Sequence, residues 1–71
     1  MMSLTIEIAS VPDRDDVVAE IWQDNNMVAE MRRAIDGRFT LEIYANQGHN
    51  SWVFDLQEWL AALAEARKRL A

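Results

Sequence analysis

Residues 17–32 read VVAEIWQDNNMVAEMR and predict a β-hairpin, from which the rest of the fold follows. Apolar residues recur at every second position on both sides of a turn signal, Asp24-Asn25-Asn26. Because successive side chains of a strand point to opposite faces, each half predicts a strand with one core-facing side. The residues expected to face the core are Val17, Ala19, Ile21, Met27, Ala29 and Met31. Those expected on the opposite face are Val18, Glu20, Trp22, Val28, Glu30 and Arg32.

Two further alternations flank this hairpin. Residues 4–8 (LTIEI) and residues 38–44 (RFTLEIY) show the same period of two. A loop containing Pro12 separates the first strand from the hairpin, and Asp36-Gly37 marks the last turn. Pairing apolar with apolar residues across that turn requires a three-residue loop with Gly37 in the left-handed region. The same parity predicts a loop of odd length around Asn25.

The C-terminal part of the chain carries the signals of an amphipathic helix. Asp55 is a good N-cap, and Glu58 three residues later gives a capping-box pattern. Phe54 and Trp59 occupy the two positions of a hydrophobic staple around that cap. Residues 67–69 (RKR) place cations in the last turn, where the helix dipole favours them. The apolar stripe expected to face the sheet consists of Leu56, Trp59, Leu60, Leu63, Ala66 and Leu70.

These segments predict a single α+β domain over residues 1–71, with elements in the order ββββα. The four strands are expected to form an antiparallel meander sheet, with the one C-terminal helix packed on one face. Residues 52–54 (WVF) are a candidate for a short fifth strand. A chain of 71 residues is long enough for one small core and for no second domain.

The formal net charge is −5, and the acidic excess lies ahead of the helix. Residues 1–55 contain ten acidic and four basic side chains. Because binding to a phosphate backbone needs a basic patch, we do not expect direct contact with nucleic acid. The chain has no cysteine, no signal-peptide pattern and no apolar run long enough to span a membrane. We therefore expect a cytoplasmic protein that makes no membrane contact.

The sequence contains no motif for catalysis, cofactor binding or metal binding. His49 is the only histidine, and its loop position fits either an ordinary exposed side chain or a contact residue. Asp13, Asp15 and Asp16 have the spacing of calcium ligands, but the glycine and closing glutamate of a calcium loop are missing. The two glycines form no phosphate-binding loop, and no second histidine is present for a catalytic triad. We therefore expect no enzyme activity, no cofactor and no metal.

The outer side of the predicted sheet is the candidate functional surface. Each strand carries one glutamate between two apolar residues, so four carboxylates are expected on the face opposite the helix. Glutamate is a poor strand former, and like charges on neighbouring strands repel each other. Aromatic residues on the same face are more typical of an interface than of a merely solvated surface, which is the alternative. The candidate partner-binding residues are Glu7, Glu20, Trp22, Glu30, Glu42 and Tyr44.

Three segments resemble short, uncharacterised bacterial and phage proteins in which a β-meander precedes a helix. These segments are Val18-Ala19-Glu20-Ile21-Trp22, Leu41-Glu42-Ile43-Tyr44 and Trp52-x-Phe54-Asp55-Leu56-x-Glu58-x-Leu60-x-x-Leu63. In its size, its acidity and its lack of a catalytic site, the chain also resembles anti-CRISPR proteins. That resemblance implies an acidic decoy in a bacterial host cell, which occupies a nucleic-acid-binding surface of a CRISPR effector.

The function predicted from these features is that of a small non-enzymatic inhibitor, encoded by a phage or mobile element, that mimics nucleic acid. Its partner would be a protein with a basic surface, such as a CRISPR effector subunit. Glu20, Glu30 and Glu42 would stand in for phosphates, and Trp22 and Tyr44 would anchor the contact. The alternative is a homodimeric structural or regulatory module, such as an antitoxin-like partner, that self-associates through this face or an edge strand.

Overall fold

Four strands and one helix form the regular structure of the computed structural model, which describes residues 4–10, 17–46, 48 and 51–71. The strands are β1 (Leu4–Ser10), β2 (Val17–Gln23), β3 (Asn26–Arg33) and β4 (Phe39–Ile43), and helix α1 spans Leu56–Leu70. Each strand pairs antiparallel with its sequence neighbour, which gives the order β1-β2-β3-β4. The helix packs on β1, β2 and β3. The predicted α+β meander with one C-terminal helix is therefore confirmed.

Residues 52–54 form no strand, so the proposed fifth strand is wrong. Side chains hold this segment instead. The Trp52 indole Nε1 donates a hydrogen bond to the carbonyl of Tyr44 over 2.7 Å. The rings of Trp52 and Phe54 stack with centroids 5.8 Å apart, and those of Phe54 and Trp59 stack at 5.1 Å. The segment thus attaches to the start of the helix through its rings.

The hairpin between β2 and β3 differs from the prediction. Its loop has two residues, Asp24 and Asn25, and Asp24 adopts a left-handed φ of 53°. The expected odd-length loop is therefore wrong, because a β-bulge supplies the missing residue. Ile21 pairs with Ala29 while the next residue, Trp22, pairs with Met27, so one extra residue lies between them on β3.

This bulge exchanges the faces of two residues. The extra residue is Val28, which is fully buried in the core cluster with Ile21 and Ala29, although alternation predicted it on the opposite face. Met27, predicted to face the core, instead lies opposite Trp22 and lines a surface cleft with it. Strict alternation fails here because a bulged strand points two successive side chains to the same side.

The turn between β3 and β4 has the predicted form. Ala34 N donates to the Arg38 carbonyl over 2.7 Å, which closes a loop of three residues, 35–37. Gly37 N donates to the Ala34 carbonyl over 2.9 Å, and Gly37 has a φ of 89°. A side chain at this φ would be strained, so glycine is required here. Met31 consequently pairs with Leu41, apolar opposite apolar.

The helix begins where the sequence predicts. Asp55 Oδ2 accepts a hydrogen bond from Glu58 N over 3.0 Å, which satisfies one of the free amides of the first turn. The stacked rings of Phe54 and Trp59 form the predicted staple. At the other end, the Ala71 amide donates to the carbonyls of Arg67 and Lys68.

The helix packs on the sheet through small side chains. Ala62 and Ala66 are buried against Ala19, Ala29 and Met31, and larger apolar side chains flank them. The flanking helical residues are Trp59, Leu63 and Leu70. Because alanine lets the helix approach the sheet closely, the buried stripe is centred on the alanines.

The prediction that Leu56 and Leu60 lie in the core is consequently wrong. Leu56 is 68% exposed and Leu60 is 55% exposed, because both lie to one side of the buried stripe. Leu41 and Ile43 of β4 are also exposed, by 39% and 57%, since α1 lies over the other three strands. Part of the expected core is therefore surface.

The predictions for His49, Asp13, Asp15 and Asp16 concern positions outside the described residues. Within the described part of the chain, no helix has the length and apolar character needed to cross a membrane.

Candidate functional site on the outer sheet face

The outer face, which we define as the sheet face turned away from α1, carries an unbroken row of carboxylates. Glu7 pairs with Glu20, Glu20 with Glu30, and Glu30 with Glu42, so the four residues lie directly opposite one another across all four strands. Neighbouring strands lie about 4.8 Å apart, so this glutamate row extends over roughly 14 Å. Regular alternation in β1, β2 and β4, together with the bulge in β3, brings the row together.

Glu30, at an inner position of the glutamate row, is a buried structural anchor. It is only 9% exposed, and both of its carboxylate oxygens have partners. Its Oε1 accepts from Arg32 Nη2 over 2.9 Å, and its Oε2 accepts from the Tyr44 hydroxyl over 3.2 Å. Glu30 is therefore not accessible enough to stand in for a phosphate, the role that the sequence predicted for it. Glu30 lies on an interior strand and is closed in by the residues that bond to it.

Arg32 offsets part of the repulsion within the row. Its Nη2 lies 2.9 Å from Glu30 and 3.5 Å from Glu42 Oε1, so one guanidinium serves two carboxylates. The hydrogen bond and charge of Glu30 raise the pKa of Arg32, with a smaller contribution from Glu42. The cation thus stays charged at all pH values that the fold tolerates.

Tyr44 is held in its neutral form. Burial raises the pKa of the Tyr44 phenol above its ordinary value, and the charges of Glu30 and Glu42 raise it further against the opposing effect of Arg32. A neutral phenol can donate to Glu30, as the observed contact requires.

The remaining carboxylates are open to contact. Glu7 and Glu42 are exposed, and Glu20 is half-buried. Glu20 Oε1 accepts from the Trp22 indole Nε1 over 3.2 Å, which fixes the ring beside the row. Three open carboxylates and one anchored one therefore make up the glutamate row.

An open cleft of about 420 Å³ lies next to the row, and we call it the aromatic cleft. Its apolar lining is Trp22, Met27, Tyr44, Ala45 and Trp52, and its polar lining is Asn25, Asn26 and Asn46. A second cleft of about 260 Å³ lies on the other side of Trp22 and includes Glu7 and Asp24. Trp22 is therefore a wall between an aromatic cleft and an acidic one.

The sequence did not identify Met27 and Trp52 as members of this surface. The bulge that turns Met27 outward leaves no trace in the apolar pattern, because Met27 and Val28 are both apolar. The side-chain bond from Trp52 to the Tyr44 carbonyl likewise has no local signature, and the apolar run at 52–54 predicts a strand instead. The row itself, with Trp22 and Tyr44, was predictable from alternation.

No group of three or more histidine, aspartate or glutamate side chains among the described residues is arranged to hold a metal ion. No protein-family model matches the chain, and neither a curated protein nor a solved structure matches it. What the protein binds is therefore inferred from its own side chains.

Proposed function

We propose that this protein is a non-enzymatic binding module whose outer face receives a basic protein surface. The observation that carries this proposal is the glutamate row, which runs across all four strands and ends beside the aromatic cleft. Like charges placed directly opposite each other destabilise a sheet, so a row of this length costs stability unless a cation is brought to it. Among the described residues, Arg32 is the one cation that bonds to the row.

The residues of this surface divide into two roles. Glu7, Glu20 and Glu42 offer carboxylates to lysine or arginine side chains of the partner, which they attract before contact. Trp22 and Tyr44, at the mouth of the aromatic cleft, present flat rings that anchor an apolar or guanidinium group.

Glu30 acts indirectly in this proposal, because its oxygens already bond to Arg32 and Tyr44. It holds the Tyr44 ring in place rather than standing in for a phosphate. The open carboxylates that remain for a partner are thus spaced unevenly along the row.

The specific form that we propose is an inhibitor that occupies a nucleic-acid-binding groove of a bacterial defence complex, such as a CRISPR effector. Support comes from the net charge of −5, the open carboxylates on one face and the resemblance to anti-CRISPR proteins. A groove built for phosphates is lined with the cations that such a face attracts.

The test is capture of partners from bacterial lysate, followed by titration of the purified partner at low and moderate salt. The variant Glu7→Gln/Glu20→Gln removes two negative charges from the outer face. The control Gln57→Lys/Ala64→Lys makes the same change in net charge on exposed helical positions. We expect the first variant to associate more slowly with the partner and the control to bind as the parent does. Equal effects of both variants would show that only net charge matters.

Two further measurements test Trp22 as an anchor and the proposed mode of inhibition. Trp22→Ala should speed dissociation more than it slows association, because it removes a packed ring and no charge. Single-stranded or duplex nucleic acid should compete with this protein for the captured partner. If saturating nucleic acid leaves binding unchanged, the partner's groove is not the binding site and the mimicry is refuted.

A further inference from the structure

An exposed apolar strip lies between the helix and β4, away from the outer face. Phe39 of β4 lies under the guanidinium of Arg67, whose Cζ is 5.3 Å from the ring centroid, so this side of α1 faces β4. Leu60 is seven residues before Arg67, two helical turns along the same side, and Leu56 is one turn further. Both leucines therefore point toward the β4 side of the molecule.

The helical leucines are level with the exposed residues of β4. Leu60 lies about 10 Å along the helix from Arg67. Leu41 and Ile43 lie about 7 and 13 Å along the strand from Phe39, in the direction of the helix start. The four exposed side chains thus line one groove, with Leu41 and Ile43 as its floor and Leu56 and Leu60 as its wall. We call it the β4 groove.

The sheet order leaves β1 and β4 as edges, and among the residues that the structure describes only β1 has a side chain bonded along its edge. The helix packs on β1, and Arg69 Nη1 donates to the carbonyl of Ile6 over 3.3 Å. On β4 the register with β3 is continuous, without a bulge, and the strand contains no proline or glycine. Proteins usually protect an open edge strand with a bulge, a proline or inward-pointing charges. β4 instead points Phe39, Leu41 and Ile43 inward.

The free hydrogen-bonding groups of β4 are those of its odd-numbered residues. Tyr44 N donates to the Val28 carbonyl, and Ala34 N donates to the Arg38 carbonyl, so even-numbered residues of this strand bond to β3. Bonded and non-bonded pairs alternate in an antiparallel ladder. Phe39, Leu41 and Ile43 therefore present their backbone N–H and C=O groups to the open edge.

The edge is complementary to itself about Leu41. A two-fold axis there pairs Leu41 with its own copy and Phe39 with Ile43, so the free backbone groups meet and all inward side chains are apolar. On the outer face the same axis sets Glu42 opposite Thr40 of the second copy, with Arg38 diagonal to it. Glu42 of each copy therefore faces a neutral residue, with Arg38 on one diagonal and the other copy's Glu42 on the second, so no two glutamates lie directly opposite each other as they do within the monomer.

We propose that β4 pairs antiparallel with β4 of a second copy of this chain, centred on Leu41, to form a continuous eight-stranded sheet. Phe39, Leu41 and Ile43 of the two copies then pack against each other on the helix side of the sheet, and Leu56 and Leu60 of each helix flank this apolar floor. This interface is separate from the outer face and does not depend on the proposed function. A two-fold axis perpendicular to the sheet keeps both outer faces on the same side.

The test is the molar mass of the purified protein, measured by light scattering and sedimentation over a concentration series into the millimolar range. The parent should pass from monomer to dimer. Leu41→Lys, which puts a charge in the groove, should remain monomeric throughout. The control Ile35→Lys replaces a fully exposed apolar side chain in the β3–β4 loop and should dimerise as the parent does.

A second pair of variants tests the register. Thr40→Glu gains a neighbour of opposite charge within its own chain, since Thr40 pairs with Arg32, but faces Glu42 of the second copy. It should raise the dimer dissociation constant roughly two- to thirtyfold, with two like-charge pairs per dimer, whereas Thr40→Gln should not. Circular dichroism would verify that each variant is folded. A parent that stays monomeric, or a dimer unaffected by Leu41→Lys, would overturn the proposal.

Discussion

At the scale of single residues, Glu30 is the buried acid on which the outer face depends. One carboxylate receives the guanidinium of Arg32 and the hydroxyl of Tyr44, so two side chains of β3 and one directly after β4 are fixed together. A buried charge is tolerated only when it is paired and hydrogen-bonded, and both conditions hold here. Glu30 therefore orders the surface without being accessible to a partner.

Titration of the phenol tests this arrangement, because Tyr44 is the only tyrosine. Burial and the carboxylates raise its pKa above the ordinary value of 10.0. The stability linked to this shift is present below the unfolded pKa and is lost as pH rises through the folded pKa. Tyrosinate absorbance should have a higher midpoint in the folded protein than in denaturant. Glu30→Gln should lower that midpoint while burial keeps it above the denatured value; identical midpoints for folded parent and denatured chain would contradict the geometry.

At the scale of elements, the helix depends on its N-cap and on its buried stripe. That stripe is centred on alanines, although the stripe of leucines is more apolar. Asp55→Ala removes the acceptor for Glu58 N and should cost about 1 kcal/mol of unfolding free energy. For a domain of this size, that lowers Tm by about 4–8 °C. Asp55→Asn keeps an equally good cap and is the matched control. Thermal unfolding followed by circular dichroism measures both. Equal losses would show that the charge of Asp55 rather than its acceptor stabilises the helix, and no loss in Asp55→Ala would mean that the cap contributes nothing.

The two leucines at positions 60 and 63 should behave differently. Leu63 packs against both core clusters, so Leu63→Ala should cost about 2 kcal/mol or more. Leu60 lies in the exposed β4 groove, so Leu60→Ala should change the monomer by no more than about 0.5 kcal/mol. Urea unfolding at low protein concentration, where any dimer has dissociated, compares them. A larger loss from Leu60→Ala would put the wrong face of the helix on the sheet.

The sequence predicted most elements because local rules determine them. The period of two located the strands, Gly37 fixed the three-residue turn, and Asp55 marked the helix start. The bulge at Val28 escaped prediction because an extra apolar residue beside another apolar residue leaves the pattern unchanged. The predicted helix stripe was wrong because apolar character ranks leucine above alanine, whereas the helical residues buried against the sheet are Ala62 and Ala66.

The candidate site likewise has one part that the local sequence pattern predicts and another that depends on tertiary structure. Alternation within single strands, which the sequence displays directly, places the four glutamates on one face, whereas their alignment opposite one another also depends on the bulge in β3. The aromatic cleft depends on a bulge and on a loop tryptophan that reaches the end of β4, and both are consequences of tertiary structure. The burial of Glu30 similarly results from its neighbours across strands.

At the scale of the whole molecule, the two proposed interaction surfaces are separate. The outer face is acidic and is formed by all four strands, whereas the β4 groove is apolar and lies on the helix side. In the proposed dimer the two glutamate rows lie side by side on a sheet about 34 Å wide. A partner with two basic grooves, or one long groove, would then meet both rows at once and gain avidity.

The strand order also determines how the chain reaches its native state. Every strand pairs with its sequence neighbour, so the sheet assembles from successive hairpins with short loops, and such local topologies fold fast. The contact between Arg69 and Ile6 joins residues 63 positions apart and has a large loop-closure cost. We therefore expect docking of the helix on β1 to be the last step of folding. Both sheet edges would be open until then, so we expect a nascent chain to be most prone to aggregation after the hairpins form and before the helix docks.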